Sequence, residues 1–202
     1  AESVFEGWSG ACSGRDACVV SMTGAKAVTA HFTPDTTVTW TNESGVQTAC
    51  ISSANRLINA LIDAEADGSD NLIKIAQGTY VGLFAYAGNE NKNLELRGGY
   101  NTGCTAQTIN PALTVLDGDT DNDNTGNGVV LDLLVMATGA GGITVDNLTA
   151  RNGYNAYDEG GCIRTYTDQG NTIISGNIIS NCVSINGGGI GVETNTGKAL
   201  IT

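Results

Sequence analysis

The sequence predicts an all-β protein whose main body is a parallel β-helix, and three observations lead there. Two stretches near the end repeat: Asn152-Gly153 followed by Gly160-Gly161-Cys162-Ile163, and Asn181-Cys182 followed by Gly187-Gly188-Gly189-Ile190. The Gly-Gly-X-Ile blocks stand 27 residues apart (190 minus 163) and the asparagines 29 apart (181 minus 152), and recurrence at roughly 20 to 50 residues marks a repeat architecture. Residues 143–150 and 172–180, just before each asparagine, are short and β-branched and read as strands. The composition agrees: 28 Gly, 2 Pro and only 5% aromatic residues suit a narrow stacked core better than a sandwich built around large rings. A strand, an Asn/Gly corner, a second strand and a Gly-rich corner make one coil.

The bulk properties narrow the function classes. A chain of 202 residues accommodates one or two modest domains. Its 21 acids against 9 bases give a net charge of −12, which argues against nucleic acid or an anionic membrane as partner, because no basic patch exists to release counterions. No apolar run approaches the roughly 20 residues of a membrane helix, so membrane insertion is not expected. No leader is visible, and residue 1 is Ala, so the chain is expected to follow a cleavage or a chosen boundary. Six cysteines, none in a C-x-x-C pattern, point to an oxidising compartment, extracellular or at a cell surface. Their spacing suggests Cys12 with Cys18, Cys50 with Cys104, and Cys162 with Cys182. Spacing supports the first directly and leaves the connectivity of the other four open.

Residues 1–34 form the first unit. Residues 18–23 and 25–32 alternate apolar and polar side chains, the mark of strands with one buried face. Gly7-Trp8-Ser9-Gly10, Cys12, Gly14, Cys18, then Lys26, Val28-Thr29-Ala30 and Phe32 resemble the second half of the divergent internalin B-repeat of bacterial surface proteins. The resemblance implies a partial repeat, with the family's first half missing. Residues 35–50 read as a linker. A helix follows, capped by Ser53 or Asn55, with Leu57, Ile58, Leu61 and Ile62 as its apolar stripe, and residues 67–70 end it. It is placed to cover the open end of the β-helix.

Residues 51–202 are the β-helix. Ile73-Lys74-Ile75-Ala76-Gln77-Gly78-Thr79-Tyr80, Leu96-Arg97-Gly98-Gly99-Tyr100, Thr114-Val115-Leu116-Asp117-Gly118 and the two Gly-Gly-X-Ile coils resemble the right-handed parallel β-helix family with the pectate-lyase-like fold. More narrowly, they resemble its non-enzymatic, adhesin-like surface branch related to polymorphic outer-membrane proteins. About 25 residues per coil imply five to six coils and a stack of roughly 25 to 30 Å. The chain stops where a strand begins, at Ala199-Leu200-Ile201, and this coil end is expected to be incomplete and a template for pairing.

The densest polar feature is Asp117, Asp119, Asp121 and Asp123, alternating with Gly, Thr and Asn. Four acids at alternate positions offer oxygen ligands to Ca²⁺, but no Glu closes the loop as in an EF-hand, and the same residues also suit a solvated turn. No cofactor is required on this reading. Lyases of the resembled fold need acids and a basic residue on one face of successive coils, for which Asp146, Arg151, Asp158, Glu159 and Arg164 are the candidates. No lyase signature accompanies them, so no catalytic residue is assigned. His31, the only histidine, falls on an exposed face of the first unit. Trp8 is expected to anchor that unit and Trp40 to lie between the units. The Asn-X-Ser/Thr sequons at Asn42 and Asn147 carry no weight. Asn152 stacked under Asn181 predicts an amide ladder.

The expected function is a non-catalytic secreted or cell-surface module, a rigid spacer and adhesin-like display scaffold meeting a glycan or protein. One alternative is a filament subunit joined head to tail through Ala199, Leu200 and Ile201. The other is a fragment of a β-helix polysaccharide lyase or hydrolase.

Overall fold

Alternate residues point inward along each strand, and the chain lays each strand beside its counterpart from the circuit before. This repetition is the basis of the architecture. The computed structural model describes residues 3–21, 23–186 and 188–202; Gly187 of the repeated block lies outside them. The chain is predominantly β with parallel sheets. The first sheet stacks Val46–Ile51, Asp70–Ala76, Leu94–Tyr100, Ile143–Asp146, Thr172–Ser175 and Ala199–Ile201. The second stacks Gly78–Val81, Thr114–Asp117, Thr149–Arg151 and Ile178–Ser180. The third stacks Phe84–Gly88, Leu131–Val135, Ile163–Thr167 and Ile190–Thr194. From Asp70 onward the chain visits first, second and third sheet in turn and returns to the first. In the last two circuits a further parallel pair, Tyr154–Glu159 with Val183–Asn186, sits between second and third.

Register turns this path into columns. Ala49, Ile73, Leu96, Val145, Ile174 and Ile201 are successive neighbours on the first sheet. Tyr80, Leu116, Ala150 and Ile179 are neighbours on the second. Phe84, Leu131, Ile163 and Ile190 are neighbours on the third. These columns, Ile201 excepted, meet in one apolar core. It thins along the chain, since the position of Tyr86 and Leu133 is taken by Thr165, and that of Leu94 and Ile143 by Thr172.

Residues 143–150 and 172–180 each form two strands rather than one. Asn147, at φ 55°, and Gly176, at φ 60°, take the left-handed conformation between them and turn the chain from the first sheet to the second. At the corner from third sheet to first, Gly141, Gly170 and Gly197 stack at closest approach. A Cβ on Gly170 would lie 1.8 Å from the Gly141 carbonyl oxygen, and one on Gly197 would lie 1.9 Å from that of Gly170.

The helix spans Ala54–Ala64 and is capped by Ser53, whose hydroxyl accepts from the Arg56 N–H at 3.4 Å. It buries Leu57, Ala60, Leu61 and Ala64, while Ile58 is half-buried and Ile62 is exposed. The buried stripe therefore runs through two alanines, which let the helix approach the Phe84–Gly88 strand.

Two segments depart from expectation. Residues 40–51, read mostly as linker, form an antiparallel hairpin, Trp40–Glu43 with Val46–Ile51. Its two-residue turn has φ 57° at Ser44 and 92° at Gly45, a pattern that matches the twist of paired strands. Val38 and Trp40 pack on the core, and Trp40 Nε1 donates to Asp63 at 3.3 Å. In the first unit Ser3–Gly10 pairs antiparallel with Val28–Pro34, but residues 18–23 form no strand where described, and Val19 is fully open. With no neighbouring strand to complete its ladder, that alternation finds no sheet. Phe5 packs between Trp8 and Phe32, and Gly7 is the only buried residue of the unit among those described.

Three disulfides form: Cys12–Cys18, Cys50–Cys104 and Cys162–Cys182. The second pins the Thr102–Thr105 loop region to the first sheet, and the third joins adjacent circuits. They suit an oxidising environment. No helix of the described residues is long and apolar enough to cross a membrane.

Candidate functional site

The acidic corner between second and third sheet is the candidate site, and it divides the four aspartates. Asp117 ends its strand, and its neighbour one circuit on is Arg151. Arg151 Nε donates to Asp117 Oδ2 at 2.8 Å and its Nη2 lies 2.7 Å from the same atom. Oδ1 accepts from Asn152 Nδ2 at 2.8 Å and from the Asp119 N–H at 3.1 Å. Burial pushes the Asp117 carboxyl up, but the hydrogen bonds from Asn152, the Asp119 N–H and Arg151 together outweigh it and hold the group below its ordinary value. Both oxygens accept hydrogen bonds, and Asp117 is not among the three aspartates that converge.

Asp119, Asp121 and Asp123 do converge, with one oxygen from each within 4.8 Å of the others. Three carboxylates at that spacing can share a hard cation. They also build the loop unaided. Asp119 accepts from the N–H groups of Asp123 and Asn124, both at 3.0 Å, and Asp123 accepts from the Thr125 N–H at 2.8 Å. Asn127 accepts from Thr120 and donates to Asp121. The bonds from Thr125, through its hydroxyl and its N–H, hold the exposed Asp123 carboxyl below the usual range.

Asn181 Nδ2 donates to Asn152 Oδ1 at 3.3 Å, and Asn152 donates on to Asp117, so the ladder runs over three circuits. Both asparagines hold the left-handed conformation, at φ 54° and 52°. Beside it an open groove of about 740 Å³ runs between the acidic loop at Asn124 and Thr125 and the ring of Tyr154, with Val183 on its wall. Sequence reasoning missed this groove, because its sides come from segments about 30 residues apart.

The lyase candidates fall on different sheets. Asp146, on the first, accepts from Ser175 Oγ at 3.0 Å. Arg151, on the second, is held by Asp117. Arg164, on the third, is gripped by Asp132 at 2.7 and 2.8 Å and touches Asp158 at 3.3 Å. Arg164, Asp158 and Glu159 do come together, in a 210 Å³ hollow with Glu193 and Tyr166. The hydrogen bond to Asp132, outweighing burial, raises the Arg164 pKa still further. Asn147 is buried, and its amide donates to Gly98 O at 3.0 Å and Thr108 O at 2.9 Å, which closes that sequon to a glycan. His31 is exposed and bonds Ser9 Oγ at 2.6 Å.

No protein-family model matches this chain, no curated protein matches it, and no solved structure matches it.

Proposed function

We propose that this chain is a non-catalytic module of a secreted or cell-surface protein, a right-handed parallel β-helix of adhesin-like type serving as rigid spacer and display scaffold. The first unit is a partial internalin-like repeat on this reading. The cyclic visit to three parallel sheets supports the winding, and crossovers between parallel strands are right-handed in about 98% of cases. The observation that carries the functional reading is the fate of the charges. Arg151 and Arg164, the bases a lyase would use, are each neutralised by an aspartate one circuit earlier, on separate sheets. They staple circuits together, and each guanidinium is engaged by a carboxylate.

The test is incubation of the intact chain with acidic and neutral polysaccharides, followed by absorbance of unsaturated products and by reducing ends. Neither signal is expected. Product formation that disappears in Arg164→Lys would replace the scaffold with a lyase. Glycan or protein is the partner class, with neither nucleic acid nor membrane insertion proposed.

A second reading has its own observation. Leu200 and Ile201 are 52% and 55% exposed at the end of the first sheet, with Ile178, Val183 and Ile185 also open on neighbouring strands. Exposed apolar strand edges pair readily, so head-to-tail association through Ala199, Leu200 and Ile201 is the alternative. Sedimentation over a range of protein concentration separates the two: a constant monomer supports the spacer, and a growing series of oligomers supports the filament.

A further inference from the structure

A hollow of about 460 Å³ opens on the outer face of the first sheet, near its Trp40–Glu43 edge, and none of the charges discussed above enters it. Its construction follows from alternation. Val38 and Trp40 turn toward the core, so Thr37, Thr39 and Thr41 share the opposite face and form the rim. Ala49 and Ile51 fill the core, so Thr48 and Cys50 face outward into the hollow, with Lys74 beside Cys50 in register. Arg56 enters from the first turn of the helix, and the Cys50–Cys104 disulfide forms a wall.

Two groups there have no partner. Thr48 is 4% exposed, and its Oγ1 makes no hydrogen bond. Arg56 Nε is equally shielded and makes none, although Nη2 of the same guanidinium holds Asp35 at 2.7 Å and Nη1 donates to Ser52 Oγ at 3.2 Å. Buried polar atoms are nearly always satisfied, and two orphans on residues that line one hollow mark where an oxygen from outside the chain could be taken up.

The charge pattern selects the ligand. Glu43, Arg56 and Lys74 line the hollow, and each cation is already paired, Arg56 with Asp35 just outside the lining at 2.7 Å and Lys74 with Glu43 at 3.2 Å. A phosphate or carboxylate would have to compete with Asp35 and Glu43 for these cations. Hydroxyl groups would find donors in Arg56 Nε and the threonines, and an acceptor in Glu43. The threonine methyls and the disulfide offer small apolar patches suited to C–H faces. The volume lies within the roughly 300 to 1,000 Å³ of small-molecule sites. We propose that this hollow binds a neutral polyhydroxylated ligand, a sugar of one or two rings, with Thr48 and Arg56 taking its oxygens and Glu43 accepting from its hydroxyls. This rests on the glycan partner class of the preceding proposal and gives it a place on the fold, while the non-catalytic reading fails or stands by a separate experiment.

The experiment is a titration of the intact ¹⁵N-labelled chain with maltose, lactose, cellobiose and sucrose, and in parallel with galacturonate and inorganic phosphate. At least one neutral disaccharide is expected to shift the Thr48 amide and the Arg56 Nε–H resonances, with a dissociation constant of about 1 mM or tighter. Thr48→Val keeps the shape of the side chain and is expected to weaken that binding roughly tenfold without moving the melting temperature. Thr39→Ala, at the exposed rim, gives a second readout that cannot fail by unfolding, and a loss of affinity there supports the site. No shift from any neutral disaccharide at about 10 mM overturns the proposal. So does a response to phosphate or galacturonate alone, or unchanged affinity in Thr48→Val. Product formation from polysaccharides, which decides the spacer reading, bears on none of these.

Discussion

Asp117 shows how a single residue is misassigned by its neighbours. In the sequence it heads a run of alternating aspartates and looks like their first member. In the structure it belongs to the strand before them, and its partner is Arg151, 34 residues away (151 minus 117). Nothing in the local pattern signals a partner in the next circuit. Its side chain is 9% exposed, so Asp117→Asn leaves Arg151 uncompensated and is expected to cost about 2 kcal/mol in urea unfolding. The sign with pH follows from the lowered pKa. The folded carboxyl holds its proton less tightly than the unfolded one, whose value is about 3.9. Its contribution is therefore complete above that value and fades as pH falls through it toward the folded value. Asp117→Asn should flatten the acid limb of the stability profile below pH ~4, and an unchanged limb would assign the slope to other carboxylates. For Asp119, Asp121 and Asp123 the loop's own hydrogen bonds lead to a different expectation. Calcium is proposed as an optional ligand, so EDTA should leave the melting temperature where it is. A fall of many degrees on chelation would make the metal structural.

At the scale of elements, strand periodicity was legible wherever a neighbouring strand exists to receive it. The alternation of residues 18–23 is as clean as that of the Asp70–Ala76 strand, yet only the latter has parallel partners on both sides. The hairpin at residues 40–51 did carry a signal, Ser44-Gly45 between β-branched runs, which reads as a turn once both φ angles are seen to be positive. The glycine column was hidden for another reason. Gly141, Gly170 and Gly197 recur at intervals of 29 and 27, matching the repeat, but glycine is so common here that the column does not stand out. Gly170→Ala places a methyl against the Gly141 carbonyl, and the backbone of two circuits must part to admit it. The expected loss is about 3 kcal/mol. Gly24→Ala, where a Cβ meets nothing within 4 Å, is the control and should be close to neutral. Loss of the helix cap in Ser53→Ala is expected to cost about 1 kcal/mol, read from the same unfolding curves.

The whole molecule is a column of circuits in which each contacts chiefly its neighbours, so stability need not be uniform along it. The core has Tyr86 and Leu94 where the later circuit has Thr165 and Thr172 at the corresponding register positions. Thr165 and Thr172 bury hydroxyls without partners. Hydrogen exchange should accordingly be slowest in Leu94–Tyr100 and fastest in Ile190–Thr194 and Ala199–Ile201, and uniform protection would contradict the gradient. The Cys162–Cys182 disulfide sits where the core is thinnest. Its removal as a double Ser variant, closing a loop of 20 residues, should cost about 3 kcal/mol, felt mainly in those last circuits. The repeat itself was legible only there. Along the first sheet, register partners are separated by 23 residues (94 minus 71), then 49 (143 minus 94), 29 (172 minus 143) and 27 (199 minus 172). One circuit is nearly double the rest, which masks the period in the first half of the chain. That long circuit leaves the column at two corners, yet its strands still meet their partners in register. The stem of its acidic excursion is closed by the Gly118 N–H on Arg151 O at 3.0 Å and the Asn127 N–H on Gly118 O at 3.2 Å. Between those two latches Asp119 is tied to Asp117 and Gly126 packs on the Asn152 carbonyl, while the exposed tip, residues 120–125, is held by the loop's own hydrogen bonds. Foreign peptide written into residues 120–125 would be carried on a fixed post, which makes this corner the natural port for grafting an epitope or a label.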